Sequence, residues 1–143
     1  MKPIELTDDL KTGIDDIDDQ HRQLFIWANE IMSDEAVMDD SKLLAALNNM
    51  EDYAYNHFRA EEYAMDKYDF KGLEKHKMQH SRLSKEVGNL FNRFKREGAS
   101  KGLKVELQYL VTDWYVLHIK EWDMPFAKYM KSINVRAVSL PDF

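Results

Sequence analysis

Cysteine is absent from the 143 residues. That excludes a disulfide scaffold, an iron–sulfur cluster, a thiolate zinc site and thiol catalysis. Glycine (5) and proline (3) are scarce, which disfavours a turn-rich all-β fold. There is no excess of positive charge. Twenty basic residues face 26 acidic ones, for a formal charge of −6. Nucleic acid and anionic membrane both call for a basic patch, so neither is expected as a partner. Apolar runs stay short, as in Trp114-Tyr115-Val116-Leu117, so no membrane insertion is expected. The start, MKPIELTDDL, has no apolar signal segment, and the expected setting is the cytoplasm. What is present suits one soluble domain over residues 1–143: apolar residues make up 44% and charged residues 32%.

The periodicity predicts an all-α fold. Residues 1–17 read as an arm with Pro3, Gly13 and no helical stripe. His21, Leu24, Phe25, Ala28, Ile31 and Met32 share one face, which gives a helix over about 18–33. Residues 34–40 read as a connection. Ser41 is a suitable cap for a second helix over about 42–66, with Leu43, Leu47, Met50, Ala54, His57, Glu61 and Ala64 on its seam. A loop at 68–72 precedes a third helix, about 71–96, whose seam is Leu73, His76, His80, Leu83, Val87, Leu90 and Phe94. Gly98 supplies a stop and Ser100 the next cap. Leu103, Leu107, Leu110, Trp114 and His118 open a fourth helix, about 101–131, and residues 132–143 form a tail. Four amphipathic helices with short connections predict an antiparallel up-down-up-down four-helix bundle with an N-terminal arm.

The seams carry polar residues where a core should be apolar. His57 and Glu61, His76 and His80, His21, and His118 all fall on or beside core faces. A buried carboxylate is costly unless it is paired or bound to a cation, and no Lys or Arg lies on these seams. One histidine on an apolar face is more often a hydrogen-bonded core residue than a ligand. Here all five histidines fall on four different helices, two of which add a carboxylate. His57/Glu61 and His76/His80 are i, i+4 pairs, about 40° apart on a helix. His118 and Asp123 are i, i+5, which diverges by about 140° on an ideal helix. A π-bulge would bring them together, and Pro125 already denies the carbonyl of Glu121 its N–H partner. A distorted turn is therefore expected at 118–124. Five imidazoles and two carboxylates exceed one tetrahedral zinc site and suit two ions bridged by carboxylates. Nitrogen and oxygen donors without thiolate fit iron.

These residues resemble the hemerythrin family, and in particular its bacterial single-domain members. The resemblance runs from about residue 12 to 130. It rests on Thr12-Gly13-Ile14-Asp15-Asp16-Ile17-Asp18-Asp19-Gln20-His21, on His57-Phe58-Arg59-Ala60-Glu61-Glu62, on His76-Lys77-Met78-Gln79-His80, and on Trp114-Tyr115-Val116-Leu117-His118-Ile119 with Asp123. It implies one iron held by His76, His80 and His118 and a second held by His21 and His57. Glu61 and Asp123 would bridge the two Fe ions, with an oxo or hydroxo group as third bridge. The two-His iron would keep an open position for O2. Three positions depart from common family usage: Leu6 near an expected Trp, Leu117 in place of an Asn, and the bulky Trp122 beside Asp123.

Leu24, Phe58, Trp114 and Leu117 are the expected walls of the O2 pocket. Apolar walls with no evident acid favour binding over turnover, so a non-enzymatic role in O2 carriage, storage or delivery is expected. The alternatives are an O2 or redox sensor, a di-iron peroxidase or nitric-oxide-handling enzyme, and iron storage or detoxification. A sensor would call for an output domain, which is not expected here. A protein partner for O2 delivery is left open, and outward aromatics such as Trp27 and Tyr109 are candidates for a contact surface.

Overall fold

The computed structural model describes residues 4–32, 40–98 and 100–135. Four long helices account for most of them. Helix α1 spans Asp15–Met32, α2 Asp40–Lys67 and α3 Leu73–Glu97. Helix α4 is continuous but changes its winding. It runs through Lys101–Tyr109, a π-type stretch Leu110–Tyr115, Val116–His118, a second π-type stretch Ile119–Asp123, and Met124–Ser132. Each helix packs against its two neighbours around the bundle: α1 on α2 and α4, and α3 on α2 and α4. The fold is the antiparallel four-helix bundle that the periodicity predicts.

Local chemistry explains the helix ends. Helix α1 starts at Asp15, three residues before the sequence-based boundary. Asp15, Asp16 and Asp18 place negative charge in its first turn, where the helix dipole favours it. Asp18 is buried and accepts from Thr12 N–H and Oγ1–H, both at 2.8 Å, and from Gly13 N–H at 3.2 Å. The arm therefore ends in a hydrogen-bonded corner, for which Gly13 takes φ 86°. Earlier in the arm, Asn29 holds Ile4 by a reciprocal pair of 2.8 Å bonds, and Asp8–Leu10 forms one 3₁₀ turn. Asp40 and Ser41 are both inside α2, so Ser41 is not its cap. The expected connection before Asp40 and the tail from residue 136 lie outside the described residues. Gly98 ends α3 with φ 78°, and the Ser100 hydroxyl accepts from Leu103 N–H at 3.1 Å, so both expected signals operate.

The core has three layers along the bundle axis. One apolar cluster includes Leu24, Phe25, Leu43, Leu83, Phe94 and Leu107. The other consists of Ile14, Ile17, Ala64, Met65, Phe126, Ala127 and Met130. Burying each large side chain contributes roughly 1.5–3 kcal/mol. Between the two clusters every helix places polar side chains in the interior. His21, His57, Glu61, His76, His80, His118 and Asp123 are all at most 3% exposed. The apolar layers hold the bundle together, while the middle layer is costly unless something satisfies it.

Trp27 differs from the sequence-based expectation. It is half-buried and stands edge-on to Tyr53 at 4.9 Å, because it sits at the margin of the α1–α2 seam. Tyr109 does face outward, at 61% exposure.

Candidate metal centre

Helix winding brings the polar layer to a point. Val116 N–H bonds to Val111 O and Met124 N–H to Ile119 O, both i→i−5. The second of these π-type turns removes the divergence between His118 and Asp123, which become neighbours with Nε2 3.3 Å from Oδ1. This is the distorted turn expected at 118–124. The first turn has no counterpart in the sequence-based reading. Within it, the Thr112 hydroxyl donates to Gln108 O at 2.7 Å and competes for a helical carbonyl.

The seven side chains form two groups that share both carboxylates. Ligand atoms of Glu61, His76, His80, His118 and Asp123 lie within 4.8 Å of one another, and so do those of His21, His57, Glu61 and Asp123. Each carboxylate turns one oxygen to each group. Asp123 Oδ1 lies 3.0 Å from His76 Nε2, while its Oδ2 lies 3.0 Å from His21 Nε2. Glu61 Oε2 lies 2.9 Å from His57 Nε2, while its Oε1 lies 3.5 Å from His76 and 3.7 Å from His80. Such splitting is what a bridging carboxylate between two cations requires.

None of the Nε2 atoms or carboxylate oxygens of these seven residues is aligned with a hydrogen-bond partner. Among the described residues, all but two of the unpartnered buried side-chain polar atoms belong to these seven side chains; the exceptions are Glu51 Oε2 and the Tyr115 hydroxyl. Native interiors rarely leave such groups unpaired, so the layer fits a pair of cations. The donor set is five imidazoles and two carboxylates, which suits borderline first-row ions such as iron.

The charges of this layer act strongly on one another. Burial works against a charged imidazole, but the Asp123 and Glu61 carboxylates outweigh it and raise His21 and His76 to about 9. Burial likewise opposes the carboxylate charges. The surrounding imidazoles nevertheless hold Glu61 and Asp123 well below the usual carboxylate range. His80 goes the other way, pushed down by burial.

Two imidazoles are oriented from behind. His57 Nδ1 hydrogen-bonds Gln20 Oε1, and His80 Nδ1 lies 2.7 Å from Glu62 Oε2. With Nδ1 as donor, Nε2 presents its lone pair to the centre. The support is unequal: a neutral amide in the His21–His57 group, a carboxylate in the three-His group. Gln20 and Glu62 escape a sequence reading because each reaches a histidine on another helix, which no intra-helix spacing reveals. Glu62→Gln is expected to weaken metal retention about 10-fold while leaving the helix content unchanged. A chelator competition series on both proteins, with circular dichroism, checks it.

The expected pocket walls divide. Leu24 and Phe58 are buried, and Phe58 stacks on His80 at 4.1 Å between centroids. Half-buried Trp114 stacks on His118 at 5.2 Å. Leu117 is a correction: it is 51% exposed and turned away from the centre, because it lies one position from His118, about 100° around the helix. Tyr115 occupies the inward place instead, edge-on to His21 at 5.7 Å. Its i, i+3 relation to His118 is the available signal. Of the other departures, Leu6 packs against the apolar core, and Trp122 stands edge-on to His76 at 6.1 Å.

Two buried ligand groups joined by shared carboxylates thus sit at the centre of this bundle. The Hemerythrin HHE cation binding domain matches residues 12–129. The chain belongs to the hemerythrin family. It is 29% identical over 125 residues to a bacteriohemerythrin of Stenotrophomonas maltophilia, covering 87% of this chain and 80% of that protein. It is 31% identical over 123 residues to the bacteriohemerythrin of Clostridium acetobutylicum, covering 83% and 95%. A crystal structure of wild-type hemerythrin superposes with a TM-score of 0.73 at 27% identity, over 82% of this chain and 88% of that one. The crystal structure of a hemerythrin point mutant is similar at the same TM-score and coverage, with 28% identity. The chain is therefore a hemerythrin-type bundle with a His/Glu/Asp cluster fit for metal. No helix among the described residues is long and apolar enough to cross a membrane.

Proposed function

We propose that this hemerythrin binds O2 reversibly at a non-haem di-iron centre, for oxygen carriage, storage or delivery, and that it is not primarily an enzyme. The observation that carries this reading is the sharing of Glu61 and Asp123 between a three-His group and a two-His group. His76, His80 and His118 would hold one Fe ion, His21 and His57 the other, with both carboxylates and an oxo or hydroxo group between them. The two-His group has one fewer protein donor, which leaves that side the place for an exogenous ligand. When present, the two irons would supply the electrons that O2 takes up on binding and returns on release.

The chain's own part is to hold and to seal. Gln20 and Glu62 orient two of the imidazoles. Phe58 and Trp114 lie flat on His80 and His118 and keep water from them. Leu24 and Phe25 close the interior beyond His21. Buried Asp18 is engaged by Thr12 and Gly13. Among the described residues, Glu61 and Asp123 are the other buried carboxylates, and both are shared between the groups, which favours binding over peroxide cleavage.

The test is metal analysis with an absorption spectrum followed through repeated anaerobic and aerobic cycles. Two irons per chain and a spectrum that returns on each deoxygenation are expected. Irreversible oxidation at the first exposure to O2, or multiple turnovers with peroxide or NO, would overturn the reading. Binding far above two ions per chain would point to storage instead.

A further inference from the structure

Tyr115 is a phenol with no evident purpose in the bundle. It is buried at 6% exposure, and its hydroxyl has no hydrogen-bond partner. Its ring stands edge-on to His21 at 5.7 Å and to Phe25 at 6.1 Å, and lies 6.3 Å from His118. The ring also helps to wall a cavity of about 30 Å³, lined by Leu24, Phe25, Leu83 and Val111 among others. Those side chains offer no hydrogen-bond acceptor. A phenylalanine would serve the packing equally well, and a buried hydroxyl left unpaired is a net cost. The Glu61 and Asp123 carboxylates act electrostatically on the phenol, but their oxygens turn toward the two histidine groups. Once those oxygens bridge cations, they have little left to offer the phenol.

We propose that the Tyr115 hydroxyl is the hydrogen-bond donor that selects small acceptor ligands entering the His21–His57 side of the centre. The class comprises dioxygen-sized molecules and small anions with an exposed oxygen or nitrogen lone pair. A phenol in apolar surroundings keeps its proton, so it donates and does not compete as an anion. The rings of Phe25 and Phe58 packed against Tyr115 carry no donor. Tyr115 thus acts as a specificity-determining residue that touches the ligand. The inference rests on the di-iron reading above.

The test compares wild type with Tyr115→Phe, using azide as the probe on the iron-loaded, oxidised protein. Tyr115→Phe is expected to keep two irons per chain and to bind azide about tenfold more weakly by absorption titration. In the metal-free state it is expected to melt at or above the wild-type temperature, because an orphaned hydroxyl has been removed. A purely structural tyrosine would leave the azide affinity unchanged. Equal affinity within about twofold at full iron content would overturn this inference alone. If neither protein retains iron, the di-iron reading falls and takes this inference with it. Tyr115→Leu also lacks the hydroxyl and shows the same loss, which keeps the test decisive if the Phe variant fails to fold.

Discussion

Glu61→Ala is expected to reduce bound iron from two ions per chain to well below one. It is also expected to lower the melting temperature of the metal-free protein by roughly 10–15 °C. The first effect follows from sharing. Glu61 belongs to both ligand groups, with Oε2 toward His57 and Oε1 toward His76 and His80, so one substitution strips a donor from each ion. The second follows from charge. In the metal-free protein Glu61 is a counter-charge for the buried imidazoles, and removing one partner of a buried pair costs about 3–5 kcal/mol. Glu121→Ala is the control: it lies two positions from Asp123 but is exposed, and it should change neither quantity. Metal analysis and thermal denaturation of the three proteins decide the matter. Two irons retained by Glu61→Ala would refute the shared-ligand assignment.

Metal loading near pH 7 is expected to release about two protons per chain, because His21 and His76 are protonated in the metal-free protein. Both stand at about 9 there, against 6.5 in an unfolded chain. A ligating imidazole must be neutral, so each proton leaves as the ion enters. Calorimetric titration in two buffers of different ionisation enthalpy counts them. Zero release would contradict the electrostatics of the site.

The same shifts give the metal-free protein a particular pH profile. A folded-state value above the unfolded one contributes stability that is full below pH 6.5 and is lost as pH rises toward 9. The contribution is about 3 kcal/mol for either histidine, and less than double for both, since they share the same carboxylates. Glu61 and Asp123 act in the opposite direction. Their depressed values contribute stability above the ordinary carboxylate range, and it disappears as the solution is acidified. Metal-free stability should therefore peak between the carboxylate range and pH 6.5, then decline on the alkaline side. The loaded protein should lack the alkaline decline, because its ligands are already deprotonated. Each ion bound at about 1,000-fold above its Kd adds about 4 kcal/mol.

Much of the site is visible in the sequence for one reason: a helix writes its buried face as a repeat of three to four residues. His57, Glu61, His76 and His80 stand on seams of Leu, Val and Phe, and a carboxylate on such a seam needs a cation. Even the distorted turn at 118–124 is legible, because the five-residue step from His118 to Asp123 cannot be served by an ordinary helix. The departures have equally local causes. Adjacency to His118 suggests a place in the pocket for Leu117, whereas adjacency on a helix means pointing elsewhere. The early start of α1 depends on Asp18 gathering the donors of Thr12 and Gly13, a tertiary-like corner made within the arm.

The chain's own pattern thus determined the number of helices, their inward faces and the seven side chains that enter the middle layer, since each is a matter of spacing along one helix. Only the tertiary structure decided how those side chains meet. It set which oxygen of Glu61 and Asp123 faces which imidazoles, placed Gln20 behind His57 and Glu62 behind His80, and turned Tyr115 inward with its hydroxyl unpaired. Those relations depend on the rotation and axial offset of one helix against another. The other π-type turn, at Leu110–Tyr115, shifts that rotation within α4, and no count along a regular helix would include it.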